Sequence, residues 1–479
     1  MKLVRLLLLI LVSINCNANR KVEKAIPPMA PIFPFVNKDI DKFNSVFRDS
    51  NEIPMLLYEN EHHYYPIQYT QIALHYYANY VETKNPKSKA SFLKIAKFIK
   101  ENIVYIDDFA VLQYDFIVKP YKLKPPCGSA MSQGFGIGVM IEAYSLTKAK
   151  IYLDIANKMV KSFGATIEKG GVQSLWGNSI YYEEYADPNS HVLNGYMFSL
   201  SGLYYSYKTT GNKEAKKYFD IGIDSLKAKI NEYDAAFTSY YSKVNYDQPA
   251  YASAINDDPD HYHELEIYQL LTLFVWTKES IFKEYAHKFL KYDTEKVTDF
   301  YNVNKFIKIE ASSSIEPINY GVDKLDDGLW SYGNYWSTNQ KGTDLTIKFN
   351  AFNSISSHVV SEEAEVKDIE AITFYAISED SSPRNFEVYY LDKNNNWTKY
   401  CEAYQLRKRC RNYYKTDNFE TFIDTYYFPS IIYAKELRIK FLDFRNDEMV
   451  ALREINVYFD RTKELDFIEQ KAKKNNPLK

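Results

Sequence analysis

Cysteine and histidine are scarce in this chain, and neither sign of charge dominates. The 479 residues include 4 Cys and 8 His, and the formal net charge is −3. Cysteines without neighbouring histidines make no zinc pattern, and a chain with no basic excess lacks the electrostatic footprint of nucleic-acid binding. Beyond the N-terminus, no apolar run approaches the roughly 20 residues that span a bilayer. We therefore expect no metal, no organic cofactor, no nucleic-acid partner and no membrane span.

The first 18 residues have the pattern of a secretory signal. Lys2 and Arg5 precede an apolar run at residues 6–12, and small residues lead to a cleavage site after Ala18. Cys16 allows lipoprotein anchoring as an alternative. We expect residues 1–18 to be removed, residues 19–59 to form an N-terminal extension, and the protein to be secreted or periplasmic.

Three cysteines follow this segment: Cys127, Cys401 and Cys410. Cys401 and Cys410 fall in a predicted strand pair, where an oxidising compartment permits a disulfide. The spacing alone leaves that bond open. Cys127 is then unpaired, and such a cysteine is more often a small buried hydrophobe than a nucleophile.

Aromatic residues are abundant, with 44 Tyr, 29 Phe and 5 Trp. Over residues 60–295 a helical pattern recurs in which an aromatic residue is followed four positions later by a small one. The pairs are Phe92 with Ala96, Tyr152 with Ala156, Tyr218 with Gly222, and Phe282 with Ala286. They recur at intervals of 60, 66 and 64 residues, and each follows another aromatic-rich helical run. A period of this length indicates stacked helix pairs.

We predict about four helix pairs arranged as an incomplete α/α toroid, with the first helix of each pair on the inner side. The glycines of GFGIG at residues 134–138 lie in no βαβ unit. We therefore interpret them as a site of close helix packing and not as a dinucleotide loop.

After about residue 300 the pattern changes to short β-rich runs, found at residues 345–349, 371–376, 386–391, 436–441 and 455–459. Turn clusters separate them, as in an antiparallel sandwich. The segments VDKLDDGLWSYGNYWST (322–338) and LREINVYFD (452–460) resemble the discoidin-like, coagulation factor 5/8 type C family, which includes many sugar-binding modules. The resemblance implies a discoidin or jelly-roll-like β-sandwich over residues 300–460, serving as a carbohydrate-binding module or as a structural cap. Residues 461–479 are predicted to be a charged tail.

A polar loop near the middle of the helical region carries the groups suited to chemistry. Glu183, Glu184 and Tyr185 are adjacent, and His191 and Asn194 follow at the start of a predicted helix. Carboxylates and a phenol at the rim of a helix pair are suited to proton transfer on a sugar.

The sequence around this loop resembles the C-terminal domain of the heparan sulfate and heparosan D-glucuronyl C5-epimerases. The likeness is carried by VLNGYMFSLSGLY at 192–204, YYPIQYTQIALHYY at 64–77 and SAMSQGFGIGVMIEAYSLTK at 129–148. The resemblance implies that the catalytic groups are Glu184, Tyr185, Tyr241 and Tyr262. The residues expected to bind substrate are Glu183, His191, Asn194, Lys243, His263, Tyr65, Gln68 and Gln133.

Two positions depart from the family pattern. Glu266 stands where the family motif has a second histidine, and no arginine follows Tyr241, so Lys243 is the nearest cation. Inverting C5 of a uronate requires a base on one face, an acid on the other, and donors or cations around the substrate carboxylate. Glu184 is the candidate base and Tyr262 the candidate acid, while Lys243, His263 or Asn194 are candidates to neutralise the carboxylate.

Three functions follow from these features. The favoured one is a uronosyl (D-glucuronyl) C5-epimerase acting on an acidic polysaccharide. A polysaccharide lyase with the same groups and a non-catalytic glycan-binding protein are the alternatives, which the two departures support. The oligomeric state is open, a homodimer included.

Overall fold

The computed structural model describes residues 26–29, 45–118, 121, 123–243, 259–292, 306–326, 333–349, 364–415, 420–444, 449–476 and 478. A helical region comes first and antiparallel sheets follow, which confirms the predicted order of the two classes of structure. Within the described ranges, no helix is long and apolar enough to cross a membrane.

Eight helices form four consecutive pairs. They are α1 (Pro66–Thr83) with α2 (Pro86–Asn102), α3 (Ala130–Thr147) with α4 (Lys150–Lys161), α5 (Leu193–Thr210) with α6 (Lys213–Lys229), and α7 (Pro259–Thr277) with α8 (Ser280–Tyr292). The first helix of every pair ends at a residue with a left-handed backbone, at Lys84, Lys148, Gly211 and Lys278. This conformation terminates a helix and reverses the chain. The repeated period in the sequence therefore reflects a repeated helix–turn–helix unit.

The two helices of a pair differ in burial. In α3 every residue from Ala130 to Ala143 is buried, whereas α4 buries one face that includes Tyr152, Ile155 and Met159. An all-round apolar helix belongs in a core and an amphipathic one at the surface. Helix α3 packs against α1, α4 and α5, and α5 packs against α7. The first helices are thus the interior ones, while closure into a toroid stays a prediction.

The GFGIG glycines allow these interior helices to approach closely, as predicted. A Cβ placed on Gly202 of α5 would lie 2.3 Å from the carbonyl oxygen of Gly134 in α3. Gly138 makes room for the side chain of Met29 in the same way. Met29 itself is fully buried, and its N–H donates to Glu142 Oε1 at 2.7 Å. Residues 26–29, part of the predicted extension, therefore belong to the helical core.

Short antiparallel strand pairs precede the first helix pair and connect the first three helix pairs. Their strands are β1 (Leu56–Tyr58) with β2 (Glu61–His63), β3 (Val104–Ile106) with β4 (Phe109–Val111), β5 (Gln113–Tyr114) with β6 (Cys127–Gly128), and β7 (Gln173–Trp176) with β8 (Ser179–Tyr182). The last of them leads straight into Glu183.

Ten further strands form two five-stranded antiparallel sheets. They are β9 (Phe306–Ala311), β10 (Trp336–Thr338), β11 (Asp344–Phe349), β12 (Lys367–Ala376), β13 (Pro383–Leu391), β14 (Trp397–Glu402), β15 (Arg407–Lys415), β16 (Glu420–Ala434), β17 (Glu436–Phe444) and β18 (Val450–Phe459). The strand orders are β10-β18-β12-β16-β15 and β14-β13-β17-β11-β9.

Strand β11 alternates buried and partly buried residues, as expected for a sheet with one face on a core. Strand β18 is instead buried at every position. Its Val457 and Phe459 lie in the sandwich core, while Asn456 and Tyr458 hydrogen-bond to the helical region. The first sheet is therefore covered on both faces.

Two predictions for this half of the chain are wrong. Residues 462–475 form a helix, α9 (Thr462–Asn475), and not a charged tail, because Leu465, Ile468 and Ala472 form a buried apolar stripe. Lys283 of α8 binds this helix through Asp466 at 2.9 Å and Glu469 at 2.7 Å.

The predicted strand pair around the cysteines is the second error. Cys401 lies in β14 and Cys410 in β15, and these strands belong to different sheets. Cys401 is a free, buried thiol, and so is Cys127. The lone cysteine Cys127 thus has the buried position that the sequence analysis expects.

Candidate active site

The hairpin of β7 and β8 delivers Glu183 into a fully buried position. Its carboxylate accepts hydrogen bonds from the His191 N–H at 2.8 Å and from Ser190 Oγ at 2.8 Å, and a further one from Ser174 Oγ. Its Oε1 lies 2.7 Å from His191 Nδ1. These bonds tie both ends of the 183–191 loop together. Glu183 is predicted to contact substrate, but both of its oxygens already have partners in β7 and in the 183–191 loop.

His191 is held by the same loop. Its backbone adopts φ 42°, in the left-handed region, and its ring stacks on Trp176 with centroids 4.3 Å apart. The side chain is buried and pairs through Nδ1 with Glu183. Glu183 and Trp176 therefore fix the orientation of the His191 ring. A contact between this ring and substrate stays a prediction.

Glu184 has a different environment from its neighbour. Its side chain is 3% exposed, and its Oε2 has no hydrogen-bond partner among the described residues. Burial raises the pKa of this carboxyl to about 8, although a hydrogen bond with Tyr185 opposes the rise. The carboxyl lies against Gly195, at the beginning of α5. A buried carboxyl with one oxygen left without a partner and a pKa near neutrality has the properties of a general acid or base.

Four tyrosines interact with the charge of Glu184: Tyr65, Tyr114, Tyr185 and Tyr241. Tyr121 and Tyr262 lie beside them, and we refer to all six as the tyrosine cluster. Burial, followed by the charge of Glu184, raises the pKa of Tyr185 and Tyr241. Tyr121 stacks on Tyr185 at 4.1 Å, and Tyr241 lies against Tyr262 at 5.0 Å. Tyr262 is 38% exposed and forms the solvent-facing edge of the cluster. The structure thus brings together the four residues predicted to be catalytic, along with Tyr65.

Tyr114 and Tyr121 are not among the residues predicted from the sequence. Tyr114 lies in β5, and Tyr121 lies in the connection between β5 and β6. Neither belongs to a quoted motif; the path of the chain brings Tyr114 near Glu184 and Tyr121 onto the ring of Tyr185. An excess of tyrosine was visible in the sequence, but nothing in it distinguished these two from the others.

Gln133 does not reach this site. It is fully buried in α3; its Oε1 accepts from the Leu112 N–H at 2.9 Å, and its Nε2 donates to the Ala110 carbonyl at 2.9 Å and to Ser162 Oγ at 2.8 Å. The predicted substrate contact is wrong, because these bonds use both ends of the amide. Gln133 instead joins β4 to the end of α4.

His263 is also structural. Its Nε2 lies 2.9 Å from the Phe289 carbonyl, which accepts only, so Nε2 carries the proton. Its Nδ1 then accepts from the Ser239 N–H at 3.0 Å. Both ring nitrogens are used, which makes the predicted substrate contact wrong. Glu266, the departure from the family motif, accepts a hydrogen bond from Ser239 Oγ, and burial raises its pKa well above the usual range.

Among the other residues predicted to bind substrate, Asn194 and Gln68 each have a side-chain oxygen available as a hydrogen-bond acceptor, and Lys243 packs on a neighbouring tyrosine. Asn194 is buried and its Oδ1 has no partner among the described residues, and the same holds for Gln68 Oε1. Lys243 lies over the ring of Tyr240 at 4.2 Å, and burial lowers its pKa.

Beside Tyr121 a cavity of about 440 Å³ opens, with Gln113, Lys124 and Asp187 among its lining residues.

The described residues contain no group of three His, Cys, Asp or Glu side chains that could hold a metal ion.

Comparison with known proteins shows a family resemblance that covers this site. Residues 106–291 match the family model described as D-glucuronyl C5-epimerase C-terminus. The match covers most of the helical region and less than half of the chain. Glu184, Tyr185, Tyr241 and Tyr262 all lie inside the matched residues, whereas Tyr65 lies before them.

Two relatives show how far the similarity extends. A D-glucuronyl C5-epimerase of Caenorhabditis elegans is 31% identical over 183 residues, which is 36% of this chain and 29% of the nematode protein. An uncharacterized protein of Methanocaldococcus jannaschii is 28% identical over 225 residues, covering 43% of this chain and 70% of the archaeal one. The chain thus spans less than a third of the nematode enzyme.

Solved structures resemble the β-rich half. The family 32 carbohydrate-binding module (CBM) of C. perfringens NanJ in complex with galactose is 16% identical and covers 32% of this chain and 92% of that one, with a TM-score of 0.22. The CBM32 of AlyQ in complex with 4,5-unsaturated mannuronic acid is 14% identical, covering 32% and 95%, with a TM-score of 0.20. At such low scores, the description of the sandwich rests on its own strand pairing.

Proposed function

We propose that this chain is a uronosyl C5-epimerase that inverts C5 of uronic-acid residues within an acidic polysaccharide. One observation carries the proposal: inside the family-matched residues, a buried carboxyl without a partner on Oε2, Glu184, is surrounded by tyrosines. A carboxyl and phenols in one low-dielectric site supply a base and an acid for the same carbon.

The reaction begins with the removal of H5. Ionised Glu184 takes the proton, and the electron pair of the C5–H bond moves into the neighbouring carboxylate, which becomes an enediolate. The second half returns a proton from the other face: Tyr262 donates its phenolic proton to C5, and the new C–H bond forms with inverted configuration. Solvent then restores the proton of Tyr262 and removes that of Glu184, so the cycle balances.

The properties of the two groups support these roles. A pKa of about 8 makes Glu184 a stronger base than an exposed glutamate, while a useful fraction is still ionised near neutral pH. Tyr262 is 38% exposed, which allows proton exchange with water. Such exchange has a measurable consequence, because the proton delivered to C5 comes from solvent.

The enediolate carries extra negative charge that the site has to stabilise. Burial and the negative charge of Glu184 raise the pKa of the Tyr185 and Tyr241 phenols. Both phenols therefore remain protonated and able to donate hydrogen bonds. Fixed donors in a site with little water stabilise developing charge strongly. We assign Tyr185 and Tyr241 to this task, with the amide of Asn194 nearby and Lys243 as the nearest predicted cation.

The rest of the molecule suits a polymeric substrate. The cavity beside Tyr121 extends the site along the surface and is lined by Lys124, whose charge is complementary to a uronate. We propose that the sandwich binds glycan and raises the local concentration of polymer. The predicted signal at residues 1–18 lies outside the described residues, and export, with anchoring through Cys16 as the alternative, belongs to this proposal.

The test is incubation of the full chain with heparosan and other uronate polymers in heavy water. Deuterium at C5, read by NMR, supports the epimerase, and Glu184→Gln is the matched negative control. Unsaturated uronate detected by ultraviolet absorbance would replace this function with a lyase. Absence of both products with every polymer would overturn an enzymatic function and leave a glycan-binding protein.

A further inference from the structure

The segment that carries Tyr241 lies between the helical region and the β-sandwich. We call residues 234–243 the Tyr241 segment. On the helical side, Tyr292 OH donates to Asp234 Oδ1 at 3.1 Å, and Lys288 forms an ion pair with the same carboxylate. The Leu193 N–H donates to the Tyr241 carbonyl at 2.9 Å, which joins the segment to the start of α5.

The sandwich holds the other side of this segment. Ala235 and Phe237 form a small buried cluster with Tyr375 of β12 and Ile423 of β16. The rings of Phe237 and Tyr375 meet edge to face at 6.3 Å. Tyr458 of β18 donates its hydroxyl hydrogen to the Ala236 carbonyl at 3.0 Å. Two domains therefore contact four consecutive residues of one short segment.

Ala236 is the point where this support matters most. Its φ is 69°, a left-handed conformation that residues with a Cβ rarely adopt. Its N–H donates to Asp234 Oδ1 at 2.8 Å, and its carbonyl accepts from Tyr458. A backbone in such a conformation persists when surrounding contacts determine it. Here one of the contacts comes from Asp234, and the other comes from the sandwich.

Tyr458 is itself rigidly placed. Its hydroxyl accepts from Thr373 Oγ1 at 2.9 Å, and its ring packs on Tyr292 with centroids 5.2 Å apart. The neighbouring Asn456 donates from Nδ2 to the Tyr292 carbonyl at 2.9 Å. Both Tyr458 and Thr373 lie on interior strands of the sheet, and side chains on such strands position a site more accurately than loop residues do.

We propose that Tyr458 is a positioning residue of the active site, through which the β-sandwich fixes the Ala236 turn and thereby the phenol of Tyr241. The catalytic part of this inference rests on the proposed C5-epimerase function, while the positioning itself does not. The sandwich is then a structural part of the catalytic unit, in addition to any glycan that it binds.

The test compares two single-hydroxyl deletions in the full chain. Tyr458→Phe removes the hydroxyl that donates to the Ala236 carbonyl. Tyr400→Phe, in β14 of the second sheet, removes a hydroxyl that contacts Ser430 of β16. For Tyr458→Phe we expect kcat for C5 deuterium exchange to fall about 10-fold, which is the lower end of the effect of residues that orient a reactive group. We expect KM to stay within about two-fold of the wild-type value. For Tyr400→Phe we expect both constants to be unchanged. A double variant with Tyr241→Phe should be no slower than Tyr241→Phe alone, because the two changes act on one phenol.

An activity-independent measurement separates this inference from the proposed function. Amide hydrogen exchange within residues 234–243 should accelerate in Tyr458→Phe and not in Tyr400→Phe. Unchanged exchange in that segment, or equal loss of kcat in both variants, would overturn the positioning role. If no uronate polymer reacts with the wild-type chain, the proposed function fails, and the exchange comparison still decides whether Tyr458 positions the segment.

Discussion

Gly195 faces the carboxyl of Glu184 so closely that a Cβ at position 195 would lie 2.0 Å from Glu184 Oε2. Glu184 Cβ is also within 2.6 Å of that position, so the neighbour would have to move as a whole. The first turn of α5 is thus shaped around the carboxyl, and the helix start and the reactive group form one unit.

Gly195→Ala should therefore displace Glu184 while keeping α5 helical, because alanine is a better helix former than glycine. A displacement of about 1 Å at a reacting group costs on the order of 100-fold in rate. We expect a loss of at least that size in C5 exchange, with the circular dichroism spectrum unchanged. Retention of wild-type turnover would show that the carboxyl at this position is not the reactive one.

The raised pKa of Glu184 predicts the pH dependence of turnover. With a pKa of about 8, the basic form grows as pH rises toward that value. We expect kcat/KM for C5 exchange to increase from about pH 6 to about pH 8, and Glu184→Gln to lower it by at least ~100-fold, the scale for a lost general base. The control is Glu232→Gln, which changes an exposed carboxyl. A rate that falls over the same interval would assign the basic role to another group.

Single hydroxyl deletions test the tyrosine cluster. Tyr185→Phe, Tyr241→Phe and Tyr262→Phe each keep the ring that packs and remove the phenolic oxygen. We expect turnover losses of at least ~100-fold for Tyr262→Phe as the lost acid, and similar losses for the other two as lost donors to the enediolate. Tyr105→Phe, on an exposed strand, is the matched control. Near-normal rates for all three would exclude the cluster from the chemistry.

Particular residues show how far the sequence could predict this molecule. The helix pairs were readable because an aromatic residue and a small residue recur at a fixed period, and the loop motif identified Glu184 and Tyr185. Side-chain direction was not readable. Gln133 and His263 lie in other segments that resemble the family, yet both bond to backbone carbonyls inside the helical region. Whether a polar residue faces a cleft or a neighbouring strand depends on elements distant in sequence.

One further error and one omission have the same origin. The apolar stripe of α9 is concealed among charged residues, and its partner helix α8 lies far back in the chain. The fixed turn at Ala236 depends on Tyr458, more than 200 positions later. Local periodicity carries no information about such pairings. The described contacts therefore join the helical region and the sandwich, which the two separate resemblances did not indicate.

Lys124 tests whether the cavity beside Tyr121 binds the polymer. Its side chain lines that cavity and is exposed. Removing one charge from a polyanion contact should weaken binding without altering the reacting groups, so Lys124→Ala should raise KM several-fold with kcat nearly unchanged. The effect should shrink at high salt, since screening weakens exposed charge pairs. Lys150→Ala, on the exposed side of α4, should leave KM unchanged, and an equal rise in both variants would mean a nonspecific charge effect.

Glu183 and Glu184 are adjacent in sequence and should respond oppositely to the same substitution. Burial without a partner on Oε2 raises the pKa of Glu184 above its unfolded value, so between about pH 4.5 and pH 8 the folded state binds more protons than the unfolded state. Stability contributed by this group is therefore present at low pH and lost as pH rises through that interval. Glu184→Gln removes the titration and should increase the free energy of unfolding relative to wild type, by a margin that grows between pH 5 and pH 8. Urea unfolding at several pH values measures this margin.

Glu183→Gln should destabilise the protein instead. The substitution replaces one acceptor oxygen by a donor amide, although the Glu183 carboxylate accepts from the His191 N–H, Ser190 and Ser174. At least one buried donor then loses its partner, at a cost of about 1–3 kcal/mol. The loss of turnover should be smaller than in Glu184→Gln, because the loop is loosened and the reactive carboxyl is kept. If Glu183→Gln abolished C5 exchange in a fully stable protein, the assignment of the two glutamates would have to be reversed.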